Sequence, residues 1–367
     1  MHPALLLRAA LTAACVSAVL PADAVEITPR GRVQLDYGAH DDDAAAPIND
    51  GFLVRRARLG ADAKFDADWS FEIGYDFVDA YDGKFRDGFK DVVLKYEGWK
   101  PADLFVGQFK VPFGLESLVS SRYLAFVEPS LPVDAFTLSR RLGFGLAADR
   151  ERWTLAVMAF GSSIADTDIG AGAAARFTTT PVAGGGQLLH LGVGAVVERP
   201  SGEVKFGSWP ESRVADIKFV KTGKLGDVDR VDRLGLEAAW QRGPFLLRAE
   251  WMRAAIRRSD GDATLDGWYV AGSWILTGES RVYKKGAFRG VPISGSGGAW
   301  ELTARFSRLD LDDADVQGGK EENVTLGLVY YVNPHLRLMA NAIRVRSERR
   351  GEVNDPNLLV LRAQWAF

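Results

Sequence analysis

Arg55, Arg56 and Arg58 put three guanidinium groups within four positions of one short stretch. Like charges so close repel one another, so packing alone does not favour the cluster. A guanidinium stays charged at physiological pH and forks onto two oxygens of a phosphate or carboxylate. The trio is therefore suited to collecting anions, or to pairing with carboxylates on neighbouring strands. Lys284, Lys285 and Arg289 form a further basic cluster, which could hand anions onward if the 277–298 turn faces the periplasm but reads first as a solvated turn. Other chemistry finds little support. There is no G-x-S-x-G motif and no spaced Ser, His and Asp set for acyl transfer. His40, His190 and His335 have no partner at metal-binding spacing. Asp41–Asp43 and Asp310–Asp315 lack the central Gly and terminal Glu of a calcium loop and read as solvated. Gly184-Gly185-Gly186 and Gly295-Ser296-Gly297-Gly298 carry no P-loop Lys. Neither an enzyme, a metal nor a cofactor is expected.

The elements that position these residues follow from the whole chain. Its 367 residues carry 45 Lys and Arg against 48 Asp and Glu, a net charge of −3, which argues against non-specific nucleic-acid binding. Arg8, the apolar stretch Ala9–Leu20 and small residues Ala22 and Ala24 predict a secretory signal peptide over 1–24. The single Cys, Cys15, lies inside it, and the apolar run continues past that position, unlike a lipoprotein signal. Beyond it no run reaches the ~18 apolar residues of a membrane-spanning helix. A closed β-barrel is the other structure that satisfies every backbone polar group in lipid.

Period-two alternation points the same way. Trp300, Leu302, Ala304 and Phe306 share one face against Glu301, Thr303, Arg305 and Ser307. Leu359, Leu361, Ala363, Trp365 and Phe367 likewise oppose Arg362 and Gln364. Such stretches run about ten residues, the length of a tilted transmembrane strand. A soluble sandwich alternates too. The aromatics separate the two, because Trp69, Trp99, Trp153, Trp240 and Trp365 cluster near strand ends beside short turns, as interfacial girdles do. Longer loops at Gly38–Asp50, Ser162–Gly186 and Asp310–Glu321 alternate with those turns. The pattern predicts one barrel domain over 25–367, with sixteen strands at 28–37, 51–62, 68–79, 89–98, 103–110, 140–148, 152–160, 188–197, 213–221, 232–241, 245–256, 266–276, 299–308, 322–332, 335–346 and 357–367. Sixteen strands enclose a water-filled lumen. Two regions fit poorly: 277–298 is long yet falls on the short-turn side, and the pattern is weak over 198–231.

At the level of motifs, Gly31-Arg32-Val33-Gln34-Leu35-Asp36 and Gly51-Phe52-Leu53-Val54-Arg55-Arg56-Ala57-Arg58-Leu59-Gly60 are followed by Val106-Gly107-Gln108-Phe109-Lys110-Val111-Pro112-Phe113-Gly114-Leu115-Glu116. Next come Ser120-Ser121-Arg122, Ser139-Arg140-Arg141-Leu142-Gly143 and Leu276-Thr277-Gly278-Glu279. In order and spacing this resembles the phosphate-selective porin O/P family of Gram-negative outer membranes. The resemblance implies an all-β transmembrane antiparallel barrel of about sixteen strands, usually a homotrimer, set among outer-membrane lipid and lipopolysaccharide. The third extracellular loop, here Val111–Leu138, would fold inward as a constriction. Small anions, phosphate or polyphosphate above all, would diffuse through it. The family's anion path maps onto Arg56, Arg58, Lys110, Arg122, Arg140 and Arg141. If Leu59 faces lipid, alternation turns Arg56 and Arg58 into the lumen near its outer mouth and leaves Arg55 at the outer rim.

The wall as a whole is balanced. Inward cations include Arg32, Arg233, Arg248, Arg305, Arg337 and Arg362, and inward anions include Asp36, Asp76, Glu237, Glu250 and Glu301. Selectivity then depends on which charges reach the narrowest point. A general or differently selective porin on the same scaffold is the alternative reading, and Arg122 is equally suited to touching an anion or to anchoring the loop.

Overall fold

The computed structural model describes residues 25–367 apart from 42, 43, 45, 46, 167–169, 294 and 296. The predicted signal peptide and Asp42–Asp43 of the acidic loop lie outside the described residues. Sixteen antiparallel strands each pair with their sequence neighbours, and the sheet closes where the last pairs with the first. They are β1 (Glu26–His40), β2 (Gly51–Lys64), β3 (Trp69–Asp76), β4 (Phe89–Tyr96), β5 (Asp103–Lys110), β6 (Arg140–Asp149), β7 (Trp153–Phe160) and β8 (Ala171–Gly184). The second half comprises β9 (Gln187–Arg199), β10 (Leu225–Arg242), β11 (Phe245–Arg258), β12 (Ala263–Ile275), β13 (Ala299–Asp313), β14 (Val316–Tyr331), β15 (Leu336–Arg349) and β16 (Asn357–Ala366).

Burial along these strands is inverted relative to a soluble protein. On β13, Trp300 and Leu302 are 38% and 43% exposed, whereas Glu301 and Arg305 are 0% and 3% exposed. Charged side chains turned inward and apolar ones outward leave lipid as the only solvent that suits the outer surface. Exposed Trp69, Trp153, Trp240, Trp274, Trp300 and Trp365 ring the short-turn rim, where Trp300 stacks on Tyr330 with 4.2 Å between ring centres.

The strand count is right, but two members differ from the sequence reading. Residues 171–184 form β8 and are not part of a loop over 162–186. Its outward face bears only Ala173, Ala175 and Phe177 as apolar groups in its central part, too weak an alternation to register. Conversely, 213–221 is not a barrel strand. It belongs to a 200–224 loop, in which Val220–Lys221 pairs with Gly207–Ser208 and Gly202–Val204 pairs with the start of β10. Asp310–Glu321 is no long loop either, because β13 and β14 extend to a turn at Ala314–Asp315.

A further correction concerns Arg55. Gln34 pairs with Arg56 but Leu35 with Val54, so Arg55 is an extra residue in a β-bulge. The bulge resets the alternation, and Arg55 and Arg56 both turn inward; Arg55 does not sit on the outer rim.

Three segments fill the interior. The 111–139 loop packs Val111, Phe113, Phe126, Leu131 and Phe136 against Met252, Ile256, Leu265 and Tyr269 of the wall. Each large side chain buried this way contributes roughly 1.5–3 kcal/mol. Phe113 occupies a notch made by the paired glycines Gly194 and Gly235, where an added Cβ would come within 3.1 Å of its ring. The 200–224 loop lies beside it. The 276–298 segment enters from the short-turn rim, so its excess length serves inward folding.

Candidate functional site

The 111–139 loop is held by charge as well as packing. Glu128 accepts a fork from Arg55 Nε and Nη2 at 2.8 and 3.0 Å and a bond from Arg362 at 2.7 Å, with Arg56 at 3.7 Å. Arg362 in turn forks onto Asp36 at 2.6 and 2.6 Å. Arg305 reaches Glu116 at 3.3 Å and Glu211 of the 200–224 loop at 2.6 Å. Arg337 donates to the carbonyls of Leu124 and Ser121 at 2.7 and 3.1 Å. Asp134 ties the two loops together through Trp209 N at 3.0 Å and Arg213 at 2.8 Å. The 276–298 segment is fastened by Arg176, which donates to Gly286 O at 2.9 Å while forking onto Glu237, and by His190 against the Tyr283 hydroxyl at 2.7 Å.

These attachments reach β2, β8, β9, β13, β15 and β16, and a cavity of about 530 Å³ remains along the wall from β1 to β6. Its lining holds nine cations, Arg30, Arg32, Arg58, Lys90, Lys95, Lys110, Arg122, Arg140 and Arg289, against two carboxylates, Glu72 and Asp91. Several cations are neutralised: Arg30 and Lys95 by Glu72 at 2.6 Å each, Arg140 by Asp91 at 2.6 Å, Arg58 by Asp76 and Lys90 by Asp79. Among the described residues, Arg32, Lys110, Arg122 and Arg289 have no Asp or Glu side chain within ion-pair distance. Arg32 Nη1 meets Ser120 Oγ at 3.4 Å, its buried Nε has no partner, and the charges of Arg58, Arg337 and Arg122 act on it against that of Asp76. Lys110 donates to the carbonyls of Ser117 and Val119, and Arg122 to Phe367 O at 3.4 Å. Cationic donors facing water with no fixed counter-charge, between low-dielectric walls, concentrate anions.

The six sequence-predicted residues divide. Arg58, Lys110, Arg122 and Arg140 come together at this cavity. Arg56 does not line it. It is 6% exposed, bonds Gln34 at 2.6 Å and faces Glu128. Arg141 also lies apart, near Glu198 at 3.6 Å. Arg58 sits beside Arg32, its cross-strand partner, and deeper than an outer mouth. Sequence reasoning missed the weight of Arg32, although alternation does turn it inward. Of the basic cluster Lys284, Lys285 and Arg289, read first as a solvated turn, Arg289 reaches the cavity, as the onward-passing alternative allows.

The profile of the family described as phosphate-selective porin O and P matches residues 27–367. Porin O of Pseudomonas aeruginosa is 26% identical over 383 residues, covering 92% of this chain and 87% of that one. An uncharacterised protein of Caulobacter vibrioides is 28% identical over 85% of this chain and 67% of that one. Among solved structures, an anion-selective porin from Comamonas acidovorans superposes with a TM-score of 0.61 at 12% identity, covering 94% and 100%. Outer-membrane expressed OmpT of Vibrio cholerae gives 0.62 at 13% identity, covering 95% and 99%. Those structural likenesses concern the fold. The profile match, carried through every strand of a closed barrel with a basic cavity along one wall, makes this chain a member of the phosphate-selective porin O and P family, a channel of the bacterial outer membrane.

Proposed function

We propose that this porin passes small anions, phosphate and polyphosphate among them, by passive diffusion, and performs no catalysis. The observation that carries the reading is the excess of nine basic over two acidic side chains around one cavity, with four of the nine lacking an acidic side-chain partner among the described residues. Porin O and the anion-selective Comamonas porin, by their names, support it. Arg32, Lys110 and Arg122 would contact the anion, with Arg58 and Arg140 adding field, while Arg56 and Arg141 hold the loops. Residues 1–24 would direct export.

The partners follow from the outer surface. Outward-facing Arg253, Arg257, Arg344 and Arg346 near the loop rim suit lipopolysaccharide phosphates. Strands β3, β4 and β5 have 8 residues each, roughly 26 Å of chain, which at a tilt of about 40° is shorter than a ~25 Å apolar band. Beside them Tyr81 and Phe85 are 83% and 71% exposed. This flank suits other copies of the chain in a trimer, and OmpT, of similar fold, is described in a trimer form.

The test is reversal potential in planar bilayers across a KCl gradient, with inorganic phosphate titrated against the chloride current. Anion preference and block by phosphate are expected. A cation-selective channel, or chloride current indifferent to phosphate, overturns the reading. In the same assay Arg141→Gln is expected to change the block by less than about twofold, since its charge is already answered by Glu198.

A further inference from the structure

Arg289, although its sequence neighbours Lys284 and Lys285 are exposed, is carried inward to a second position of control. It lines the basic cavity and also a cavity of about 470 Å³ at the short-turn mouth. Only Arg122 and Tyr123 share both linings with it, so these three residues form the junction between the two spaces.

Their arrangement is tightly determined. Nη1 of Arg281 donates to the carbonyls of Tyr123 at 3.0 Å and Arg289 at 3.3 Å, which holds the two backbones side by side. The rest of that guanidinium is fixed by Glu301 at 3.2 and 2.5 Å and by the Tyr331 hydroxyl at 3.0 Å. A Cβ added to Gly290 would stand 3.0 Å from the Tyr123 ring, so the inward segment lies against that ring. Arg122 sits over the same ring at 5.5 Å from its centre. Yet among the described residues Arg289 has neither an ion pair nor a side-chain hydrogen bond, and the one hydrogen bond of the Arg122 guanidinium is to the main-chain oxygen of Phe367. Two guanidinium groups are thus held at one passage with no acidic side chain, among the described residues, to neutralise them. A halide balances one of the charges; a doubly charged oxyanion balances both and offers oxygens to each fork.

We propose that Arg289 is a second specificity-determining residue, forming with Arg122 a two-arginine gate that favours dianionic tetrahedral oxyanions over halide at the exit to the short-turn mouth. The inference rests on the anion-channel reading, and Arg281 is its positioning residue.

The test uses the full chain in planar bilayers, with inorganic phosphate blocking chloride current at about pH 6 and about pH 8.5, where the monoanion and the dianion prevail respectively. Wild type is expected to be blocked more strongly at the higher pH. Arg289→Gln should weaken that block by about tenfold, as should Arg122→Gln, and the double variant should fall short of the product of the two because they share one anion. Lys284→Gln, which lies outside both cavities, should behave as wild type. If Arg122→Gln weakens the block while Arg289→Gln leaves it unchanged, the gate is overturned and the anion channel stands. Absence of block in wild type at both pH values overturns both. Should Arg289→Gln fail to insert, Arg289→Lys decides: a weaker block than wild type supports the fork, and an unchanged block overturns it.

Discussion

Glu128→Ala is expected to free the 111–139 loop from the wall, raise single-channel conductance and lower the thermal unfolding midpoint. The carboxylate is buried and answers Arg55, Arg56 and Arg362 at once. Removing one member of a buried ion pair leaves the other charges uncompensated and costs about 3–5 kcal/mol. Arg362 would keep Asp36, but Arg55 would lose both of its bonds. Loss of heat-modifiable migration in gels and wider, noisier conductance would register the change. A variant with wild-type conductance and midpoint would show that packing of Phe113 and Phe126 alone holds the loop. The same carboxylate sets the acid limit. Burial by itself would raise its pKa, but the charges of Arg55, Arg56 and Arg362 outweigh burial and hold it well below the ordinary carboxylate value. A depressed pKa stabilises the folded form above the unfolded value of about 4.3, and that contribution is lost only as pH falls towards the folded value. Conductance should therefore stay constant down to about pH 4 and change only in stronger acid. A step between neutral pH and about pH 5 would contradict this.

Arg122→Glu should have the largest effect on selectivity. The substitution turns one of the four cations lacking an acidic side-chain partner into an anion, at the junction where two cavities meet. Near low-dielectric walls such a change of two charge units is weakly screened. The block of chloride current by phosphate should weaken by at least about tenfold, and the reversal potential should move towards cation preference. Lys284→Glu, on the exposed part of the inward segment, should alter either quantity by less than about twofold. Equal effects from the two would remove the filter from the third loop.

The two readouts separate the anchors from the path. Glu128 and Arg362 govern where the loop sits, and they act on conductance and stability together. Arg122 and Arg289 touch little protein through their charged ends, so their loss should alter selectivity with stability nearly intact.

Much of this was legible in the residues alone, because the signals are local. Period two on β13 and β16 and tryptophans beside short turns follow from the geometry of a strand in lipid. So the barrel class and the inward turn of Arg56, Arg58 and Arg362 came from the sequence alone, whereas the count of sixteen agreed because a missed strand at 171–184 offset a spurious one at 213–221. The 171–184 strand escaped because Ala173 and Ala175 cover the lipid face with too little apolar surface to mark a period. Arg55 escaped because a one-residue bulge reverses facing without any change in composition. Which charges remain free was decided only by tertiary structure. The carboxylate that occupies Arg362 at 2.7 Å lies 234 positions away, and the carbonyl that sets Arg289 beside Arg122 is reached through Arg281, 158 positions from Tyr123. Alternation assigns a side chain to a face, but ion pairing falls off within a few ångströms, so only the closed barrel with its loops folded in determines which cations keep their charge for a passing anion.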